Sequence, residues 1–396
     1  MMNKLKIKDL AKQIRGVSYK TSDLHEELDS QSVILLRANN ISNGLINFDD
    51  VIYVDKQKVS EIQYLKKGDI LICASSGSKK LVGKAASVDF DMECTFGAFC
   101  KVVRPKEEYM DYLGSYFQSS IYRNKISKAS LGANINNIRN EHIDGLEIPL
   151  YSKENMSTIT KRMQLLQKII ININQELKLL DELVKARFVE LFGDVRSNNN
   201  YPNVLFSECV EHSLRGPFGS DMKKSLYVPK NENTIKVYIQ INAIQKNENL
   251  GDYYISKEYY DDKMYKFEVF PNEYIITCDG TLGKLLKLSK NMEKGVISSS
   301  LLKLKLNYSL ITDQYFEYVW NLCLLPQLIS EARNACLVHL PSMKVIGSKK
   351  IQLPPLELQN QFADFVKEVD KSRLEVQKSL KKTQELFDSL MQKYFG

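Results

Sequence analysis

The sequence predicts an α+β protein: two similar domains, each β-rich with short helices, separated by an antiparallel pair of long coiled-coil helices in a pseudo-two-fold duplication. Three observations predict this fold. Motifs from the first half recur in the second, two segments of about 40 residues carry matching heptads, and the remaining segments alternate short β-type runs with one helical patch.

The composition is that of an ordinary globular protein. The 396 residues are 43% hydrophobic and 26% charged, which allows two domains with real cores. A net charge of +7 suits a polyanionic partner without identifying one. The N-terminus has no signal-like segment and no run of 18 apolar residues occurs, so we expect a cytoplasmic protein. Seven scattered cysteines without a Cys-x-x-Cys pair make a disulfide framework or zinc site unexpected.

The internal repeat rests on ordered anchors separated by about 200 to 205 residues. In each pair, similar residues recur in the same order. The pairs are Ile14-Arg15-Gly16 with Leu214-Arg215-Gly216, Leu36 to Ile41 with Ile239 to Ile244, Asp69 to Lys79 with Tyr274 to Lys284, Leu146 to Pro149 with Ile351 to Pro354, and the helix endings Leu191-Phe192-Gly193 with Tyr394-Phe395-Gly396. This alignment makes Lys79 and Lys284 equivalent.

Two long segments without an interior proline or glycine follow these domains. Their apolar residues are spaced alternately by three and four, which predicts a coiled-coil seam with a partner helix in this chain or in a second chain. The seam positions are Ile159, Met163, Leu166, Ile170, Ile173, Leu177, Leu180 and Val184, then Phe362, Val366, Val369, Val376, Leu380, Phe387 and Leu390, with Arg373 and Thr383 as interruptions.

These patterns divide the chain into five segments. They are the first domain (1–151), the first long helix (152–193), a linker (194–202), the second domain (203–355) and the second long helix (356–396). Strands are predicted at 33–36, 51–54, 69–73, 99–103, 236–241, 273–277 and 301–306, with helical patches at 110–120 and 313–324.

Loops rich in Gly, Ser, Asn and Lys are the candidate functional surface. They lie at 75–80, 131–139, 215–224 and 279–284. Lysine and arginine neutralise phosphates, hydroxyls bond to phosphate oxygens, and Asn, Gln or Arg reach base edges, so this chemistry suits DNA. The candidate DNA-binding residues are Arg15, Arg37, Ser76, Ser78, Lys79, Lys80, Asn134, Asn136, Arg139, Arg215, Ser220, Lys223, Lys224, Gln240, Thr281 and Lys284.

Catalytic motifs are missing from the sequence. It has neither a Gly-Lys-Ser/Thr phosphate loop nor a Rossmann fingerprint, so no ATP or dinucleotide site is expected. Pro354-Pro355 lacks the neighbours of an amino-methyltransferase motif, and the only Glu-x-Lys, at Glu176, lies inside a heptad helix. The four histidines have no metal-ligand spacing and are interpreted as structural or surface residues. We therefore predict a chain that is not an enzyme and holds no metal or cofactor.

Taken together, the duplicated domain, the two Pro exits at Pro149 and Pro354, the Arg215 to Ser220 opening and the Glu190 to Asp194 ending resemble the specificity subunits of bacterial type I restriction-modification enzymes. The resemblance covers essentially the whole chain. The first copy of the domain departs from the family's pattern at Val17-Ser18-Tyr19, where the second copy has Pro217-Phe218-Gly219.

The resemblance implies a division of labour. Each domain would be a target recognition domain that reads one half of a bipartite double-stranded DNA site, and the helix pair would set the gap and bind two modification subunits. Those partners would carry S-adenosylmethionine and methylate adenine N6, and restriction subunits would add ATP- and Mg-dependent cleavage. Two alternatives are the recognition portion of a self-contained methyltransferase-nuclease and a coiled-coil scaffold that does not bind DNA.

Overall fold

The computed structural model describes most of the chain and divides it into two compact units. Unit 1 comprises Met1–Leu177 and Glu375–Gly396, and unit 2 comprises Lys178–Leu374. The boundary between the units falls inside each long helix, so each unit contains part of both helices. The described residues are 3–42, 44–78, 81–130, 137–193, 200–245, 251–334 and 339–396.

Unit 1 folds its β-strands into two four-stranded sheets and two small ribbons. One sheet has the order β2-β11-β8-β9 and is antiparallel throughout, and the other has the order β10-β4-β7-β3 with β10 and β4 parallel. The ribbons pair β1 with β12 and β5 with β6. The strands are β1 (Asn3–Lys6), β2 (Ala11–Arg15), β3 (Leu24–His25), β4 (Ser32–Leu36), β5 (Ile41–Ser42), β6 (Leu45–Ile46), β7 (Ile52–Asp55), β8 (Ile70–Cys73), β9 (Ala85–Ser87), β10 (Cys94–Phe96), β11 (Cys100–Pro105) and β12 (Glu147–Leu150).

Unit 2 repeats the antiparallel sheet and three strands of the mixed sheet, but the fourth strand of its mixed sheet pairs with the second strand of the parallel pair, on the opposite side from the fourth strand in unit 1. Its antiparallel sheet has the order β14-β21-β18-β19, its mixed sheet has the order β16-β15-β20-β17 with β15 and β20 parallel, and β13 pairs with β22. The strands are β13 (Asn203–Leu205), β14 (Val210–Arg215), β15 (Thr234–Tyr238), β16 (Tyr253–Ser256), β17 (Glu268–Val269), β18 (Tyr274–Thr277), β19 (Leu285–Lys287), β20 (Gly295–Ile297), β21 (Leu301–Leu306) and β22 (Lys350–Gln352).

The helices also fall in matching places. The predicted helical patches begin at Met110 and Asp313 as expected, and both long helices extend within one residue of the predicted bounds. The helices are α1 (Ile7–Leu10), α2 (Met110–Phe117), α3 (Ser120–Ser130), α4 (Asn140–Asp144), α5 (Lys153–Phe192), α6 (Lys257–Tyr259), α7 (Asp313–Val319), α8 (Leu325–Asn334), α9 (Met343–Gly347) and α10 (Leu356–Phe395).

The two long helices pair with each other in an antiparallel arrangement within this chain, as unit 2 shows directly. Arg373 of α10 donates a hydrogen bond to Asp181 of α5 over 2.8 Å, and the Phe188 and Phe362 rings lie 5.4 Å apart farther along. Residue numbers therefore rise along α5 while those of the contacting residues in α10 fall, as in an antiparallel pair. The heptad prediction is confirmed, because every predicted seam position is buried or half-buried. The interruption at Arg373 is accommodated by its ion pair.

Each unit completes its core with the end of a long helix. In unit 1, Met391 and Phe395 of α10 are fully buried among the apolar residues of α2 and β12. In unit 2, Phe188 and Phe192 of α5 are equally buried against α7. Burial of apolar side chains is the main favourable contribution to folding, so neither core is complete without its helix end.

The repeat is confirmed as a duplicated fold, but its sequence alignment at the two prolines is wrong. The Tyr112 hydroxyl donates to the Pro149 carbonyl oxygen over 2.7 Å, and the Tyr315 hydroxyl donates to that of Gln352 over the same distance. The counterpart of Pro149 is therefore Gln352, and Pro354 lies beyond the end of β22. Interchangeable apolar residues in short strands allowed the two-residue error.

The strand predicted at 236–241 is displaced, since β15 begins at Thr234. It ends at Tyr238, and a π-helical segment covers Gln240–Ile244 instead. Tyr238 is the counterpart of Leu36, because each is the last residue of a strand that belongs to the parallel pair of its unit. In both cases the carbonyl oxygen accepts a hydrogen bond from the amide of the residue that follows the partner strand. The sequence alignment of Leu36 with Ile239 was one residue out.

No helix within the described ranges is both long and apolar enough to cross a bilayer. In the same ranges, His, Cys, Asp and Glu side chains form no group of three or more that could hold a metal ion.

Candidate nucleic-acid interface

An arginine ends the same strand in each unit. Arg15 is the last residue of β2 and lies opposite Lys101 of β11, and Arg215 is the last residue of β14 and lies opposite Leu302 of β21. Both guanidinium groups are exposed to solvent. The repeat anchor Arg15 and Arg215 is thus confirmed residue by residue.

A glycine follows each of these arginines for a steric reason. A Cβ on Gly16 would lie 2.1 Å from the Gly97 carbonyl oxygen, and one on Gly216 would lie 1.9 Å from that of Ser298. Real Cβ atoms do not approach backbone this closely. The Arg-Gly pair therefore marks a place where two backbone segments touch, which keeps the arginine at a fixed point on the surface.

Two loops are joined beside this corner in each unit. In unit 1 the Ile138 amide donates to the Ala74 carbonyl oxygen over 2.8 Å, and in unit 2 the Leu340 amide donates to that of Cys278 over 2.8 Å. The loop after the central strand, β8 or β18, is thus held against a segment that comes 60 residues or so later in the chain. Isolated β-bridges follow at Ser75 with Asn137 and at Asp279 with His339.

In unit 2 the corner and the loops meet through side chains. Arg215 Nη1 donates to the Leu340 carbonyl oxygen over 3.2 Å, and Arg215 Nη2 lies 3.5 Å from Asp279 Oδ1. The same Asp279 oxygen lies 2.6 Å from His339 Nδ1. Sequence reasoning treated His339 as an isolated structural or surface residue; it lies on the surface and contacts the candidate loop. The three side chains remain one-third to two-thirds exposed.

In unit 1 the equivalent arginine lies in a basic cleft. Arg15, Lys101 and Arg139 line an open cleft of about 620 Å³ together with Glu141, which pairs with Arg139 at 3.3 Å. Burial lowers the pKa of Lys101, and the neighbouring positive charge of Arg15 lowers it further. Among the described residues, the guanidinium group of Arg15 has no hydrogen-bond or ion-pair partner, although the Arg15 carbonyl oxygen accepts from Gln63 Nε2 over 3.1 Å. The sequence-predicted Arg15 and Arg139 are therefore brought together.

A second cleft of unit 1 contains Arg37 and Ser76. Asp50 accepts hydrogen bonds from Arg37 Nη2 over 3.0 Å and from Asn39 Nδ2 over 2.9 Å, which fixes both donors side by side. The cleft, of about 330 Å³, also exposes the ring of Phe99. Sequence reasoning proposed Arg37 and Ser76 but missed Asn39, Asp50 and Phe99.

An exposed aromatic ring also occurs in unit 2. Phe218 is 83% exposed, and Phe99 in unit 1 is 69% exposed. These are the highest exposed fractions among the large hydrophobic side chains of the described residues, and a phenylalanine between small loop residues is a signal that sequence reasoning could have followed. Stacking on bases or sugars is one use that such rings have at nucleic-acid interfaces.

The other candidates have separate positions. Ser78 follows β8, Thr281 and Lys284 follow β18, and all are exposed. Gln240 Nε2 lies 3.7 Å from the place of a Cβ on Gly280, so Gln240 adjoins the 279–284 loop. Ser220 and Lys224 are exposed in short 3-10 turns after the Arg215 corner, and the exposed Lys223 directly precedes the second turn. Lys79, Lys80, Asn134 and Asn136 lie outside the described residues.

The equivalence of Lys79 with Lys284 is wrong. The Thr277 amide donates to the Lys284 carbonyl oxygen, and the Cys73 amide donates to that of Lys84, so Lys84 is the counterpart of Lys284. The preceding glycines both have φ near the left-handed region, +81° at Gly83 and +71° at Gly283. The loop is longer in unit 1, and the alignment passed over that insertion. A Gly-Lys pair recurring at the same offset as Arg-Gly would have revealed it.

Comparisons with known proteins agree with this duplicated architecture. A family model described as "Type I restriction modification DNA specificity domain" matches residues 2–182 and again residues 219–386. The specificity subunits of the type I restriction enzymes StySPI from Salmonella potsdam and EcoKI from Escherichia coli K12 are each 38% identical over 173 residues, 43% of this chain. The matched part spans 37% of the length of these relatives.

A solved structure shows the same fold at low identity. The S subunit of a type I restriction-modification system from M. genitalium aligns with 100% of this chain and 96% of its own, with a TM-score of 0.55 and 14% identity. At this identity the likeness concerns the fold alone. Since the family model matches most of the sequence, once in each half, the chain belongs to the family of type I restriction-modification DNA specificity domains.

Proposed function

We propose that this chain is the non-catalytic DNA-reading subunit of a type I restriction-modification complex, and that each unit reads one half of a bipartite site in double-stranded DNA. Modification subunits that bind S-adenosylmethionine methylate adenine N6, and restriction subunits that use ATP and Mg cleave DNA. The chemistry belongs to these partners. Family membership and the names of the relatives support the assignment.

One observation carries the proposal. The same surface, an Arg-Gly corner flanked by two joined loops, occurs once in each unit with different side chains. A duplicated fold that keeps its backbone contacts and changes its exposed polar groups is suited to reading two different sequences. A scaffold would have no need to keep exposed arginines at the same strand end.

We assign the contacts with DNA to these surfaces. Arg15, Arg37, Arg139, Arg215 and Gln240 have the donors that reach base edges or phosphates. Lys284, which is exposed, is assigned to a phosphate. The remaining assigned residues are Ser76, Ser78, Lys79, Lys80, Asn134, Asn136, Ser220, Lys223, Lys224 and Thr281.

We assign the spacing of the two half-sites, and the docking of two modification subunits, to the long helices. Their antiparallel seam supports this assignment, since its positions are buried or half-buried along both helices. Exposed leucines such as Leu179, Leu183 and Leu374 remain on the helix pair in unit 2 and suit a protein partner.

Domain replacement tests the modular reading. Residues 203–355 are exchanged for the corresponding domain of a relative, and the methylated adenines of the host genome are mapped with the modification subunits present. We expect one half of the methylated site to change and the other to be retained. Replacement of residues 1–151 is the matched control, and it should change the opposite half. A change of both halves in either exchange contradicts the modular reading.

Binding experiments separate DNA recognition from scaffolding. The chain, with its modification subunits, is titrated with the mapped site and with unrelated DNA at several salt concentrations. Selective, salt-dependent binding is expected, with a slope set by the number of phosphates neutralised. Binding of the modification subunits without any selectivity for the site would favour a scaffold.

A further inference from the structure

We propose that three structurally equivalent positions determine how each unit contacts its half-site, and that these positions make different contacts in the two units. In unit 2, Arg215, Asp279 and His339 form one group that reads the edge of a G·C base pair. In unit 1 the equivalent arginine, Arg15, binds a backbone phosphate. This inference rests on the proposed function and gives a role to Asp279 and His339.

The equivalence of the positions follows from backbone pairing. Arg15 and Arg215 occupy the same register on the same strand. The two isolated bridges then match Ser75 with Asp279 and Asn137 with His339. The first unit therefore presents Arg, Ser and Asn where the second presents Arg, Asp and His.

The group in unit 2 has the properties of a base reader. Arg215 is restrained from two sides, by the Leu340 carbonyl oxygen at 3.2 Å and by Asp279 at 3.5 Å. A guanidinium held in one orientation favours the bidentate contact with guanine O6 and N7. The Asp279 carboxylate, held at 2.6 Å from His339, can accept from the cytosine amino group.

The same carboxylate argues against a phosphate at this point. Asp279 is 37% exposed, so a phosphate placed on Arg215 would approach a second negative charge. Asp279 also offsets part of the positive charge of Arg215. A base edge carries no formal charge and presents both acceptors and donors, which matches a paired arginine and carboxylate.

The group in unit 1 has the opposite character. Ser75 and Asn137 are neutral, so Arg15 has no carboxylate at the equivalent position. Lys101 and Arg139 share its cleft, and the one acid among the described residues of that lining, Glu141, is paired with Arg139. An arginine whose guanidinium group has no partner among the described residues, and which lies beside other cations, suits a phosphate, which accepts from many directions.

Three single variants test the assignment in the full chain with its modification subunits. Affinity is measured for the mapped site, for each single base-pair change in both half-sites, and across salt concentrations. Arg215→Ala and Asp279→Asn should lower discrimination at one G·C pair of one half-site by about 5- to 150-fold. Arg15→Ala should weaken binding to every sequence equally and reduce the salt slope by about one.

A pair of reciprocal double variants supplies the matched controls. Asp279→Ser with His339→Asn should free Arg215, so that selectivity at that base pair falls while binding to unrelated DNA and its salt slope increase. Ser75→Asp with Asn137→His should lower the salt slope of the chain by restraining Arg15. Melting temperatures verify that these substitutions leave the fold intact.

The outcomes distinguish this inference from the proposed function. A wild-type complex that binds DNA without selectivity would overturn the proposed function and this inference together. A selective wild type in which Arg215→Ala weakens all sequences equally, or in which Arg15→Ala changes the preference at one base pair, would overturn only the assignment of roles. Unchanged selectivity in Asp279→Asn would remove Asp279 from the reading group.

Discussion

A methyl group added at Gly216 should destabilise the folded protein by a predictable amount. A side chain there would collide with the Ser298 carbonyl oxygen, so Gly216→Ala must displace the backbone that carries Arg215. We expect the free energy of unfolding to fall by about 1 to 3 kcal/mol, measured by urea denaturation. Gly219→Ala is the matched control, because nothing lies within 4 Å of its Cβ. Equal effects of the two substitutions would contradict the steric explanation.

Glu317 gives unit 2 a dependence on pH. Burial raises the pKa of the Glu317 carboxyl, while the hydrogen bond donated by the Tyr274 hydroxyl acts in the opposite direction. A raised pKa means that the folded state holds the proton more tightly than the unfolded state, so stability falls as pH rises above the ordinary value of 4.5. Glu317→Gln keeps an acceptor for Tyr274 and removes this loss.

The measurement compares urea unfolding of wild type and Glu317→Gln from acid to neutral pH. The variant should gain stability relative to wild type as pH rises, and Glu258→Gln, at an exposed position, should run parallel to wild type. A gain that is the same at every pH would show that the charge of Glu317 is not its cause.

At the scale of the elements, the end of α5 is the most sensitive segment of unit 2. The Phe188 ring is fully buried and packs against Phe192 at 4.9 Å and Phe362 at 5.4 Å. Phe188→Ala should lower the free energy of unfolding by about 3 to 5 kcal/mol. The adjacent Val189 is 51% exposed, and Val189→Ala should change it by no more than about 0.5 kcal/mol. Denaturation curves of the two variants test the orientation of the helix directly.

The elements were predictable where a single physical rule decides them. Heptad spacing located both long helices, because only one helix face can be apolar when the rest meets water. Strand equivalence was less secure, since isoleucine, leucine and valine replace one another in a buried strand. Arg15-Gly16 aligned correctly because a steric contact requires the glycine.

The candidate site was only partly predictable for a related reason. Asp279 and His339 are 60 residues apart in the chain, and only the folded loops bring them within 2.6 Å. The loops themselves could be identified from their Gly, Ser and Lys content. Which side chains meet across them depends on insertions such as the longer loop after β8, and these are not readable from composition.

At the scale of the whole molecule, the helix pair offers a test of spacing. Inserting one heptad at matched positions of α5 and α10 keeps the seam in register and lengthens each helix by about 10 Å. If the pair sets the gap between half-sites, the mapped methylation site should gain about three base pairs of spacer. Insertion into α5 alone breaks the register and should instead destabilise the chain. An unchanged spacer in the matched variant contradicts the assignment.

The sharing of α10 between the units has a consequence for biosynthesis. Phe387, Met391 and Phe395 fill the core of unit 1, yet the ribosome makes them only after the whole of unit 2. The core of unit 1 therefore remains incomplete, with apolar residues exposed to solvent, until nearly 200 intervening residues have been translated. Its maturation is long-range and slow, and the nascent chain is exposed to chaperones and aggregation during that interval.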